Sequence, residues 1–177
     1  MFTRQHGLAR MSRKAPDWDG SDPSASMRRT AEWFVEEARA TFLKDGTHQE
    51  RFLLFQRDGN VSVIGQEGLD RAQFAAALKQ QARAEKVFGI VHIVIIRAYI
   101  PRKPNDHTWI QLTSGEMRMP DLKHEDKTEN LLVHYKCRDG TQRAWISPIV
   151  RPEAGSVALG AVLEMDETTE RMFASLF

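Results

Sequence analysis

The stretch Val87-Phe88-Gly89-Ile90-Val91-His92-Ile93-Val94-Ile95-Ile96-Arg97-Ala98-Tyr99-Ile100 is apolar on both of the faces that a strand alternates. Phe88, Ile90, Val94 and Ile96 point one way and Val91, Ile93 and Ile95 the other, because successive side chains leave a strand on opposite sides. Such a strand needs cover on both faces, from helices or from a second subunit, and so forms the spine of a sheet. Its apolar part, Val87 to Ile96, is half the ~20 residues of a membrane span and contains Gly89 and His92, which argues against an anchor.

On the N-terminal side, Asp70 with Gln73 three residues on has the form of a capping box, and Phe74, Ala77, Leu78 and Ala82 give one apolar stripe, so a helix is predicted to end near Lys86. Further out, Arg51 to Gln56 and Val61 to Ile64 flank Asp58-Gly59-Asn60, where glycine supplies the positive φ of a tight hairpin. Before the hairpin, Asp22 or Ser24 offers an N-cap with Pro23 in the first turn. Met27, Ala31, Phe34, Val35, Ala38 and Phe42 then share one helical face up to Gly46, the stop. Residues 1 to 23 lack either period and read as a mobile N-terminal arm, leaving 24–177 as one domain.

On the C-terminal side, Pro101 to Pro104 ends the spine. Asn105 to Glu129 reads as a long polar loop with one short strand at Thr108 to Leu112. Leu131 to Cys137 and Gln142 to Val150 flank a second hairpin signal, Asp139-Gly140, and Val157 to Met165 adds the third strand of a meander. Asp166 is placed to cap a final helix, with Glu167 and Glu170 in its first turn and Met172, Phe173, Leu176 and Phe177 on its apolar face. The order α-β-β-α-β-(β)-β-β-β-α predicts an α+β fold: a single largely antiparallel sheet of roughly five to six strands with about three helices. Roadblock and profilin-like folds use a similar order of helix, hairpin, helix, meander and helix, a likeness of topology that carries no function.

Between Gly46 and Phe177, three features together resemble small uncharacterised proteins of bacterial and phage genomes. They are the Asp58-Gly59 hairpin, the apolar strand running into Arg97-Ala98-Tyr99, and the Asp139-Gly140 hairpin leading to Trp145-Ile146-Ser147-Pro148-Ile149. The resemblance implies an accessory protein and brings no activity with it.

At 177 residues the chain can bury roughly 70% of its unfolded surface, enough for an independent core. Cys137 is the lone cysteine, so no internal disulfide forms and a reducing compartment is the simpler setting. Met1 to Arg10 lacks the apolar core of a signal peptide, and a cytoplasmic location is expected. Net charge is +1, with six Lys/Arg against three Asp in residues 1 to 29. The rest offers no footprint for a polyanion, so any nucleic-acid contact would use Arg10, Arg13, Lys14, Arg28 and Arg29, with Trp18 to stack on a base; a solubilising arm explains them as well.

There is no phosphate loop, no G-x-G-x-x-G, no H-E-x-x-H, no G-x-S-x-G and no paired C-x-x-C, which argues against the common nucleotide, zinc-protease and hydrolase classes. Four histidines remain as candidate catalytic or metal-binding residues: His92, His107, His124 and His134. His134 and Cys137 have a ligand-like spacing, but positions three apart on a strand face opposite ways, so no metal site and no cofactor is implied. His92, in mid-spine, is a core histidine unless Arg97, Tyr99 or Glu164 converges with it. In the long loop, Trp109 with Arg102 or Arg118 has the composition of an interface anchor.

The expectation is a non-enzymatic protein-interaction or regulatory module, partnered by itself as a homo-oligomer or by another protein, with Trp109, Arg118, Phe173 and Phe177 as interface residues. Two alternatives stay open. One is a small metal-binding or His/acid-dependent enzyme, and the other is a weak nucleic-acid binder acting through the basic arm.

Overall fold

The computed structural model describes residues 16–64, 70–101, 105–152 and 155–166. The predicted C-terminal helix with Phe173 and Phe177, and the cations Arg10, Arg13, Lys14 and Arg102, lie outside the described residues. Among the described residues three α-helices, α1 (Pro23–Asp45), α2 (Arg71–Ala84) and α3 (His107–Ser114), accompany seven strands: β1 (Arg51–Phe55), β2 (Val61–Ile64), β3 (Gly89–Ala98), β4 (Thr128–Cys137), β5 (Gln142–Val150), β6 (Ala158–Leu159) and β7 (Leu163–Met165). The strands form one antiparallel sheet in the order β2-β1-β3-β4-β5-β6, with β7 also pairing with β5. The fold is α+β, as the element pattern predicts.

Local chemistry explains the helix ends. Asp22 accepts from the Ala25 amide and Pro23 fills the first position, where a missing N–H costs nothing. At its other end, α1 stops on Gly46 in the left-handed conformation, φ 70°, with its N–H donating to the Phe42 carbonyl. Asp70 and Gln73 form a complete capping box on α2.

The two helices divide the work of covering the spine. Met27, Ala31, Phe34, Val35, Ala38 and Phe42 of α1 pack on Leu53, Val91, Val133, Tyr135 and Trp145. Gly89 lies where α1 comes close: a Cβ there would meet Met27 Cε at 3.0 Å and Cys137 Sγ at 3.3 Å. On the opposite face Phe74, Leu78 and Ala82 of α2 cover Phe52, Leu54 and Ile90. Each of the large apolar side chains contributes ~1.5–3 kcal/mol by leaving water, and truncating Phe74 to Ala would cost about 3–5 kcal/mol. Gly89 to Ile93 are buried in the single chain, whereas Val94 to Ile96 are only partly buried. Phe88 precedes the strand and packs with the α1 cluster, against the alternation predicted for it.

Two other expectations are corrected. The short strand predicted at Thr108 to Leu112 is helix α3: Asp106 caps it, accepting from the Trp109 amide, the Ile110 amide donates to the Asp106 carbonyl, and Gly115 at φ 81° ends it. The third strand of the meander is split into β6 and β7. Pro148 of β5 sits at the split and has no N–H to offer a ladder there. Its carbonyl instead accepts from the Gly160 amide at 2.8 Å, and the chain passes from Leu159 on one side of this point to Leu163 on the other. No described helix is long and apolar enough to cross a membrane.

Candidate functional site

His92 and His134 are directly opposite each other across β3 and β4, on the face away from α1. The His92 ring stacks on Phe52, 4.0 Å between centroids and 11° between planes, and its Nε2 lies 2.7 Å from Glu50 Oε1. His134 is 1% exposed; burial, reinforced by the electrostatic influence of the neighbouring His92 and Lys136, holds its pKa down at about 3. An imidazole so depressed is neutral at physiological pH and a poor proton acceptor there.

His107 is the exposed first residue of α3, and His124, in a 3-10 turn, lies against the Arg97 guanidinium. Tyr99 donates to both Asp106 carboxylate oxygens at 2.8 Å, and Glu164 pairs with Arg28 at 2.9 Å. Each of the three groups, any one of which could have given His92 a functional setting, therefore has another partner. Cys137 belongs to the α1-side core and His134 to the other face, so the two diverge as their spacing predicts. Burial pushes the Cys137 thiol up to about 12. Among the described residues no three His, Cys, Asp or Glu side chains converge as a metal ion would require.

The connection from β3 to β4 builds an open cleft of about 300 Å³ lined by Tyr99, Thr108, Asp121, Lys123 and Asp126, among others. Charges of both signs line it, and part of their capacity is used locally. The backbone N–H and the guanidinium of Arg118 hold the Asp121 carboxyl below the usual carboxylate range. Arg118 is 80% exposed and Trp109 is partly buried on α3, so these two predicted interface residues belong to the same connection.

Strand β2, outermost among the described strands, has a different character. Val61 and Val63 are 45% and 48% exposed on the α1 side of the sheet, with register partners Phe55 and Leu53 fully in the core. Helix α1 leaves them open because it lies over β3 to β5: Arg39 reaches the Ser147 hydroxyl and the Gly160 carbonyl, and Arg28 reaches Glu164. The hairpin that carries β2 is braced. Trp18 stacks on Phe55 at 5.8 Å and donates from its indole N–H to the Arg57 carbonyl at 2.8 Å. Gly59, φ 83°, lies under the same ring, where a Cβ would come within 2.6 Å of Trp18 Cγ. At the opposite end of the sheet the outer side of β5 is met by two strands of only two and three residues.

No family model, no curated protein and no solved structure matches this chain. Its chemistry is therefore read from its own geometry.

That geometry does not assemble the four candidate histidines: two are buried as a cross-strand pair and two sit on the surface connection. Of the proposed nucleic-acid residues that are described, Arg28 is committed to Glu32 and Glu164, and Arg29 donates to Ser26 Oγ. Trp18, a candidate for stacking on a base, stacks on Phe55 instead. What sequence reasoning missed is the exposed edge at Val61 and Val63. The signal available was the absence of any charge or proline in Val61-Ser62-Val63-Ile64, but its meaning depends on the strand being outermost, which only the sheet order reveals.

Proposed function

We propose that this protein is a non-enzymatic protein-interaction module whose working surface is the β2 edge and the open valines beside it. The observation that carries the reading is the contrast between the two ends of the sheet. Proteins protect sheet edges by keeping them short, charged or interrupted by proline, because unpaired N–H and C=O groups template the addition of another strand. The β5 side has that protection in its two- and three-residue partners and in Pro148. Strand β2 has four residues with neither charge nor proline, and two of its side chains are nearly half exposed and apolar. An edge held rigid by Trp18 is also suited to docking, since little ordering entropy remains to be lost on binding.

The setting we infer is cytoplasmic and reducing, in keeping with a lone, buried cysteine. The experiment is site-specific photo-cross-linking in cells, with the photoreactive residue at Val63 and, for comparison, at Glu36 on the exposed side of α1. A discrete adduct from position 63 that is missing from position 36 is the expected result. No adduct, or the same diffuse products from both positions, would overturn the reading.

A further inference from the structure

We infer that the occupant of this edge is a second copy of the same chain, joined β2 to β2 in antiparallel register about Ser62; the inference rests on the interaction-module reading above. The hairpin fixes which groups are available. The Gln56 amide donates to the Asn60 carbonyl at 2.9 Å, so with the alternation of an antiparallel ladder the next hydrogen-bonded pairs are Leu54 with Ser62 and Phe52 with Ile64. Val61 and Val63 consequently direct their N–H and C=O groups outwards.

Two such edges complement each other about a two-fold axis normal to the sheet. Residues directly opposite must share a face and must both direct their backbone groups outwards. Val61 against Val63 of the second copy satisfies both conditions, and the symmetry repeats the pair. With Ser62 on the axis, the join makes two hydrogen-bonded pairs, hence about four backbone hydrogen bonds, and sets four valines against one another on the α1 side.

Charge favours the same occupant. No charged side chain lies in β2, so self-pairing brings no like charges together along the strand. The exposed Asp58 of each copy falls at an opposite end of the joined ribbon, roughly 25 Å from its equivalent at ~3.4 Å per residue, beyond the ~8 Å over which physiological salt leaves charges interacting. A four-residue seam is smaller than the standard interface of ~1,600 Å², so the dimer is reversible and concentration-dependent.

The test is sedimentation velocity of the purified full chain over a range of concentrations, with two double variants. V61K/V63K sets lysine against lysine in every pair and should be monomeric where the wild type is dimeric, at least about a tenfold weakening. V61K/V63E sets the lysine at position 61 against the glutamate at position 63 of the second copy and should still dimerise; a seam centred instead on position 63 would set glutamate against glutamate and fail. Unchanged cooperative melting shows that both variants fold. Should either lose its melt, amide exchange at Val61 and Val63 of the wild type decides, with slower exchange at high concentration expected and no change overturning the proposal. A monomeric wild type, a V61K/V63K dimer, or a V61K/V63E chain as monomeric as the double lysine also overturns it. A monomer that nevertheless cross-links to a different protein at position 63 removes the second copy alone, whereas a monomer with no adduct removes the wider reading too.

Discussion

His92 and His134 face each other across β3 and β4, and the Nε2 of His92 lies at hydrogen-bonding distance from the Glu50 carboxylate. The sign of the pH effect follows from His134. Its folded pKa of about 3 lies below the ordinary value of 6.5, so between these limits the unfolded chain binds a proton that the folded chain refuses. Stability is therefore full above pH ~6.5 and falls as the pH drops towards 3, by up to ~1.4 kcal/mol per pH unit. Urea unfolding between pH 7 and 5 should show this loss, and His134→Leu should flatten it. Some slope will remain in the variant because burial also depresses His48. The lowered carboxyls of Asp19, Asp121, Glu129 and Asp139 add their own losses mainly below pH 5, from about their ordinary values of 3.8 and 4.5 downwards.

Gly59→Ala and Gly140→Ala separate two costs of placing a side chain in a turn. Both glycines have positive φ, 83° and 92°, but a Cβ on Gly59 would collide with the Trp18 ring, whereas one on Gly140 meets nothing within 4 Å. Gly140→Ala should cost about 1 kcal/mol of backbone strain. Gly59→Ala should cost more by ~1 kcal/mol or above, because the ring must shift; denaturant midpoints of the two variants give the difference. Equal midpoints would mean that Trp18 yields freely.

Asp106→Ala removes the cap of α3 and the acceptor of the Tyr99 hydroxyl together. Stability should fall by about 1–2 kcal/mol, with the faster amide exchange concentrated at residues 107–110. Tyr99→Phe keeps the cap and should leave those amides protected.

The Cys137 thiol, buried and pushed up to about 12, should be silent towards a thiol-reactive disulfide reagent in the native protein at neutral pH. It should react fully once denaturant is added, and rapid labelling without denaturant would contradict its burial.

The parts of the fold that are legible in the sequence are those fixed by neighbouring residues. Gly59 and Gly140 mark hairpins because each must take a positive φ, and Asp22, Gly46 and the Asp70–Gln73 pair mark helix ends through hydrogen bonds made within a turn. Helix α3 escapes such a reading because Trp109, Ile110 and Leu112 suggest a strand, while Asp106, which caps the helix, lies just outside that stretch. The split after β5 depends on Pro148 meeting Gly160, and the bracing of Gly59 depends on a Trp18 that the sequence assigns to the arm. His92 is a core residue, as its place in the spine predicts, but its partner Glu50 comes from before another strand. Exposure at Val61 and Val63 is illegible for the same reason: it depends on which strand is outermost and where α1 crosses.

Helix α1 packs mainly on β4, a strand that begins at Thr128, long after the helix ends at Asp45. During synthesis the helix leaves the ribosome with its apolar stripe formed and its principal binding surface not yet made. At ~5–20 residues per second that interval is on the order of ten seconds. Met27, Phe34 and Phe42 are without their final cover for that time, which makes the nascent chain, more than the finished protein, the form of this molecule most in need of a chaperone.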